Sequence, residues 1–249
     1  MAEFPLYLLP FFFLIAVLYS SVGHGGASGY LAVFALFGIA NPSIAPLALM
    51  LNIIVASTSW VQYYRNGFFS WRLLFPFVTA SIPMAFLGGM IPISQNLFSI
   101  LLGLSLLFAS ARLFFLGEIK SEAENFSVQK LWMFGVPLGA ILGLLSGMVG
   151  IGGGVFLSPI LLFMKWTNAK QTAAIASAFI VLNSFSGITG HLTRANVDFT
   201  SSLPFVGAVF AGGFLGSRFG AEKFRLKTLQ YLLAIVLLSA GTKLVSKLF

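Results

Sequence analysis

The sequence predicts an all-α, polytopic membrane protein of two inverted five-segment repeats, each with a short or re-entrant helix after a glycine-rich loop. Three observations predict it. Only 8% of the 249 residues are charged and 58% are apolar, at a mean hydropathy of +0.98. Soluble domains are about 25% charged, so a surface this poor in charge has lipid as its solvent. The apolar residues form ten runs divided by short polar or glycine-rich breaks. Landmarks of the first five runs then recur, in order, in the second five.

The runs fall near 5–22, 27–38, 42–63, 71–92 and 95–116, then 131–149, 154–164, 169–190, 201–217 and 226–248. Between the fifth and sixth, Gly117 to Lys130 holds Glu118, Glu122 and Glu124 and reads as a cytoplasmic linker. The domain plan is therefore a first membrane repeat over 1–116, the linker over 117–130 and a second repeat over 131–249. Glu3 precedes the first run and the first basic residue is Arg65, so that run lacks the basic flank of a secretory signal and reads as a retained span. Most runs have the roughly 20 residues that cross a bilayer core of about 30 Å. Segments 27–38 and 154–164 would reach only about 16–18 Å as helices. Both follow a glycine cluster, Gly23-His24-Gly25-Gly26 or Gly150-Ile151-Gly152-Gly153-Gly154.

The basic residues decide how those short segments count. If both cross, or both re-enter, one side receives Arg65, Arg72, Arg112, Lys120, Lys130, Lys165, Lys170, Arg218, Lys223, Arg225 and Lys227. The other side receives only Arg194, Lys243 and Lys247. Omitting the short segments splits the same residues 6 to 8, which is no bias. The short segments therefore count, both termini are non-cytoplasmic, and the protein is a multi-pass protein of the inner (plasma) membrane. The net charge of +8 then reads as topology, and a nucleic-acid partner is not needed.

What is missing narrows the chemistry. Without Cys there is no disulfide, thiolate nucleophile or cysteine-held metal, and no cofactor or metal site is expected. None of the six carboxylates falls in a span, which disfavours a carboxylate-dependent cation antiporter or an intramembrane aspartyl protease.

The duplication rests on matched landmarks. Val22-Gly23-His24-Gly25-Gly26 matches Val149-Gly150-Ile151-Gly152-Gly153 at an offset of 127. Pro76-Phe77-Val78 and Phe86-Leu87-Gly88 match Pro204-Phe205-Val206 and Phe214-Leu215-Gly216 at 128. Leu101-Leu102 and Leu106-Leu107 match Leu232-Leu233 and Leu237-Leu238 at 131, which sets Arg112 against Lys243. Five segments per half is odd, so the second half enters the membrane upside down. Secondary transporters commonly have this plan, with substrate bound between the halves near the midplane.

A glycine break between two membrane helices exposes backbone N–H groups, and with the following helix N-terminus these suit an anion. Gly23, Gly25, Gly26, Gly150, Gly152, Gly153 and Gly154 are therefore candidate substrate-binding residues, with Asn52, Ser57, Ser177 and Asn183 on the helices that follow. His24, inside the first loop, can donate to an anion or carry a coupled proton. Scattered glycines such as Gly88, Gly89, Gly212 and Gly213 read as close-packing positions. Arg112 and Lys243 are expected to snorkel to the interface. The expected partners are a small anion and the lipid bilayer; the oligomeric state is not legible.

The stretch Ser146-Gly147-Met148-Val149-Gly150-Ile151-Gly152-Gly153-Gly154-Val155-Phe156-Leu157-Ser158-Pro159 resembles the signature of the sulfite exporter TauE/SafE family. Ser177, Asn183, Gly190-His191 and Asn196-Val197-Asp198 follow at similar spacing, and Gly23 to Ala32 resembles a variant within that family. The resemblance covers nearly the whole chain. It implies a transporter of small sulfur-containing anions such as sulfite, sulfonates or sulfoacetate-like compounds. The first loop departs from the pattern, with His24 and Ala27 opposite Ile151 and Gly154; relatives that relay thiosulfate through cysteines are excluded.

Two other readings stand beside a transporter. One is a passive anion channel. The other is a rhomboid-like serine protease, because Gly26-Ala27-Ser28-Gly29 fits G-x-S-G and His191 is available as a base. The mate of Ser28 in the repeat is Val155, so the reading favours a non-enzyme.

The charge distribution yields a direct test. Alkaline phosphatase fused after Phe249 is expected to be active in a bacterial host, and a green fluorescent protein fused there dark. The reverse pattern would invert the assigned topology.

Overall fold

The computed structural model describes residues 5–115, 127–197, 199–222 and 227–246. Positions 117–126 of the expected linker lie outside the described residues, as do Glu3 and Asp198. Ten α-helices, and no strand, occur among the described residues. They are α1 (Leu9–Ser20), α2 (Ala27–Leu36), α3 (Ala45–Arg65), α4 (Trp71–Met90), α5 (Gln95–Phe115), α6 (Val128–Val149), α7 (Gly154–Phe163), α8 (Ala169–Leu192), α9 (Leu203–Glu222) and α10 (Lys227–Ser246).

Six of these helices, α3 to α6, α8 and α9, are long and apolar enough to cross a membrane. The expected short pair, α2 and α7, has ten residues each. The first run is shorter than expected, because α1 and its leading 3-10 turn cover only Leu6–Ser20. Pro10 sits in the first turn of α1, where its missing N–H costs nothing. At the other end of the molecule, α6 begins at Val128, three residues before the expected boundary. The strongest local start signal is on α8. There the Asn168 side chain accepts from the Gln171 N–H at 2.9 Å, and the Gln171 side chain accepts from the Asn168 N–H at 3.1 Å.

Packing arranges these helices into two three-helix bundles that each mix the sequence halves. In one, α4 lies along both α6 and α8. Gly135, Gly139, Gly143 and Gly147 of α6 meet Pro76, Phe77, Ser81 and Ala85 of α4 in rising order, so the two helices run parallel. A Cβ on Gly143 would lie 2.2 Å from the Ser81 carbonyl oxygen. Small residues at every fourth position let two backbones touch, and membrane helices associate through such contact rather than through a hydrophobic drive. In α8, Ser186 Oγ donates to the Ile82 carbonyl and Gly190 meets Phe86, again in the same direction.

The other bundle holds α1, α3 and α9. Gly212, Gly216 and Gly220 of α9 meet Phe13, Val17 and Ser21 of α1, also in rising order. From α3, Ser59 Oγ and Tyr63 Oη donate to the carbonyls of Ser20 (3.2 Å) and Ser21 (2.9 Å), holding the end of α1. The glycines expected to serve packing do so: Gly88 and Gly89 meet α6 and α8, while Gly212 and Gly213 meet α1 and α3.

The bundles join through α3 and α8, the most enclosed of the long helices. Leu49 meets Gly187, Asn52 approaches Ser184, Ala56 clusters with Ile180, and Tyr63 clusters with Ala173. That falling order makes α3 and α8 antiparallel. A separate antiparallel pair forms between α5 and α10, where Gly103 meets Gly241 and Val245 and Ser110 Oγ donates to the Ala234 carbonyl at 2.7 Å. Each of α1, α3, α4 and α5 thus runs opposite to the helix five places later. The short helices attach outside the bundles, α2 against α10 and α7 against α8.

The glycine stripes make a prediction. Gly143→Leu and Gly216→Leu each force a side chain into a backbone carbonyl and are expected to destabilise by about 3 kcal/mol or more. Gly207→Leu, on α9 with nothing within 4 Å of its Cβ position, is expected to leave stability unchanged. Thermal unfolding of the three variants in detergent checks this.

Candidate functional site

The two glycine breaks share two left-handed turns and differ at a third position, where Gly152 is at φ +81° and its counterpart Gly25 is not in that region. Each short helix is preceded by a glycine at positive φ, Gly26 at +93° and Gly153 at +77°. Each preceding segment also turns at such a glycine, Gly23 at +77° and Gly150 at +85°. Side chains other than glycine resist this conformation, so the clusters are required by the chain path itself. Neither Gly26 nor Gly153 has a side chain to cap the first-turn N–H groups. In hydrocarbon those groups need partners from elsewhere in the protein.

One buried residue supplies partners to both breaks. Asn52 of α3 accepts from the Ala27 N–H at 3.1 Å through Oδ1 and donates to the Ile151 carbonyl at 3.1 Å through Nδ2, with Ser184 Oγ at 3.5 Å. A Cβ on Gly25 would lie 1.9 Å from Asn52 Oδ1, and one on Gly152 would lie 2.2 Å from Nδ2. These two glycines therefore exist to let the loops close on the amide from opposite sides. Loops 127 residues apart in sequence meet at one side chain. Asn52 is thus spent on the loops rather than turned to a ligand.

The remaining side chains expected at the site divide. Asn183 is buried, its Nδ2 donates to the Phe179 carbonyl at 2.8 Å, and its Oδ1 has no partner. Its unspent atom is an acceptor, which attracts a donor rather than an anion. Ser177 is buried and donates to the Ala174 carbonyl of its own helix at 2.9 Å. Ser57 is half-buried, five residues past Asn52 and so turned about 140° from it around α3. Asn52 Nδ2 directs its two N–H groups to Ile151 and Ser184, whereas Asn183 Nδ2 keeps one N–H beyond its bond to Phe179.

The structure also brings Arg112 to the first loop, a residue that sequence reasoning sent to the interface. Arg112 is half-buried on α5 and turns inward, its Nη1 donating to His24 Nε2 at 3.1 Å. His24 is buried and its Nδ1–H donates to the Val22 carbonyl at 3.0 Å, which leaves Nε2 as the acceptor. Ser158 Oγ of α7 lies 3.0 Å from the same Nε2 and donates to the Gly154 carbonyl at 2.9 Å. His24, Arg112 and Tyr19 line a small cavity with Leu18, Val155 and Leu233. Lys243, matched to Arg112 by the repeat register, donates from Nζ to the Leu36 carbonyl at 2.6 Å, at the end of α2. The signal for Arg112 was in the sequence, since four apolar residues, Leu113 to Leu116, still follow it in the run.

The groups of the protease reading are engaged elsewhere. Ser28 Oγ shares a 2.7 Å hydrogen bond with Tyr19 Oη. His191 Nε2 donates to the Gly147 carbonyl at 2.8 Å while Nδ1 accepts from Arg194 at 2.9 Å, a brace between α8 and the end of α6.

The double role of Asn52 is open to measurement. Asn52→Leu leaves the Ala27 N–H and the Ile151 carbonyl unpaired at about 1–3 kcal/mol each. Hydrogen exchange is expected to accelerate together in peptides covering 23–30 and 150–157; acceleration in one alone would refute a shared clasp.

Comparison with known proteins agrees with this architecture. The family model for sulfite exporter TauE/SafE matches residues 8–244. A probable membrane transporter protein of Sinorhizobium fredii is 35% identical over 236 residues, covering 94% of this chain and 95% of the relative. Probable membrane transporter proteins of Xylella fastidiosa (28% identical; 85% of each chain) and Methanocaldococcus jannaschii (27%; 78% of this chain, 74% of the relative) are also similar. No solved structure matches. With its glycine breaks, ten helices and a full-length family match, the chain belongs to the sulfite exporter TauE/SafE family, whose members named here are probable membrane transporters.

Proposed function

We propose that the protein is a secondary-type carrier of small, sulfur-containing anions of the sulfite, sulfonate and sulfoacetate class, working by alternating access. The observation that carries this reading is the meeting of two helix breaks at Asn52, at the crossing of the two most enclosed helices. Broken helices near the middle of an inverted repeat are where secondary transporters hold substrate. The antiparallel relation of α1, α3, α4 and α5 to the helices five places on supports a duplication of inverted sense. The family model's description as a sulfite exporter supports the substrate class.

The packing changes which parts would move. The sequence halves interleave, so one half cannot rock against the other as a body. The coherent bodies are α1/α3/α9 and α4/α6/α8, each fastened by a glycine stripe, and their common contact is α3 on α8. A shear along α3–α8 would open the loops to one side and then the other, with the glycines at positive φ absorbing the backbone change. The basic-residue bias supports placing this machine in the inner membrane with non-cytoplasmic termini.

Flux into proteoliposomes tests the reading. Uptake of sulfite, sulfoacetate or a simple sulfonate is expected to saturate and to show counterflow, with sulfate and chloride as comparison anions. Flux without saturation or counterflow would favour a channel. Absence of flux for every anion would overturn the proposal.

A further inference from the structure

We propose that Arg112 is the charged anchor for the transported oxyanion, with Ser158 as a second donor and His24 as the placeholder the anion displaces. This rests on the reading of the protein as an anion carrier and names the residues that give it selectivity.

The first argument is electrostatic. A guanidinium within a membrane helix is costly and is retained where it pairs or serves a pathway. Among the described residues, the hydrogen-bond partner of Arg112 is His24, which takes one of five N–H donors. Because Nδ1–H donates to Val22 and Nε2 accepts from the guanidinium, that imidazole is neutral and, among the described residues, leaves the guanidinium charge uncompensated. A carboxylate in the same place would have cancelled the charge. An imidazole acceptor instead holds the side chain in position with its charge intact.

The second argument is geometric. Arg112 Nη1 at 3.1 Å and Ser158 Oγ at 3.0 Å both approach His24 Nε2, and the single Ser158 O–H has to leave the Gly154 carbonyl, 2.9 Å away, to donate to an anion there. An oxyanion oxygen at that point meets both atoms at hydrogen-bonding distance once the ring withdraws. The guanidinium offers a second, parallel N–H, so two oxygens of a sulfite or sulfonate group can be held side by side. Val155, in the first turn of α7, lines the same cavity, which sets the positive end of that helix toward it. Withdrawal of the ring breaks its Nδ1–H bond to the Val22 carbonyl and its contact with Arg112.

The third argument is the asymmetry of the repeat. Lys243, the counterpart of Arg112, is spent on the end of α2, and Ile151 stands where His24 stands in the other loop. Among the described residues, the two glycine breaks are therefore not equivalent, and the Arg112–His24 pair belongs to the first alone.

Binding of sulfite and methanesulfonate to the purified full chain in detergent, beside proteoliposome flux, tests the assignment. Arg112→Ala is expected to weaken binding on the order of 100-fold, as two charge-assisted hydrogen bonds are lost, and Arg112→Lys on the order of 10-fold. His24→Leu, which removes the competing acceptor, is expected to tighten binding. A purely structural His24 would give the opposite sign. Because Arg112→Ala can fail to fold, modification of wild-type Arg112 by phenylglyoxal, read by peptide mass, supplies an independent measure: saturating sulfite is expected to protect it. Wild-type affinity in both Arg112 variants, or an unprotected Arg112 at saturating sulfite, overturns the anchor. Flux of none of the anions, with binding and protection intact, overturns the carrier reading and leaves the site standing.

Discussion

A peptide group in hydrocarbon must find its hydrogen bond inside the protein, and the whole architecture answers to that requirement at the two places where a helix is broken. Asn52 satisfies it at both breaks with one amide, oxygen toward Ala27 and nitrogen toward Ile151. An amide suits this task because it is uncharged and carries its acceptor and its donor on separate atoms that point apart. Its position on α3 fixes the depth of both loops, which fixes where α2 and α7 begin. The cavity beside His24 is a product of that placement.

The glycine stripes set the second constraint. With lipid on the outside, helices gain little from hiding apolar side chains, so backbone contact does the fastening. The two stripes are not equivalent partners in the repeat: glycines lie on α6 in one bundle and on α9 in the other. Under the duplication, α6 corresponds to α1 and α9 to α4, so most of the small residues have changed sides, while Gly88 of α4 keeps the place of Gly216. The contact geometry is shared while the residues supplying it differ, as expected when either member of a pair can donate the space.

Much of this was legible in the sequence. Segment number, the two short helices and the role of the scattered glycines follow from hydropathy, length and composition, which are local properties. The stripe Gly135-Gly139-Gly143-Gly147 was equally legible at its four-residue period, although its partner helix was not. What could not be read were the partners of polar groups. Asn52 and Asn183 look alike in sequence, yet one clasps two loops and the other bonds its own helix and leaves an oxygen unpaired. Arg112 was assigned to the interface because a basic residue near a helix end normally reaches water. Its inward turn depends on His24, 88 residues earlier in the chain. The interleaving of the halves was likewise invisible, because it is set by contacts between segments far apart in sequence.

That interleaving bears on how the protein is made. The helices α1 to α5 leave the ribosome before any helix that completes either bundle. Until α6, α8 and α9 arrive, the carbonyls of α1 and α4 lack the glycines that will cover them. Asn52 can close on Ala27 early, but its other hand waits for Ile151. The nascent first half is therefore an open frame in the bilayer, and its last fastening is made only when the second glycine loop reaches it.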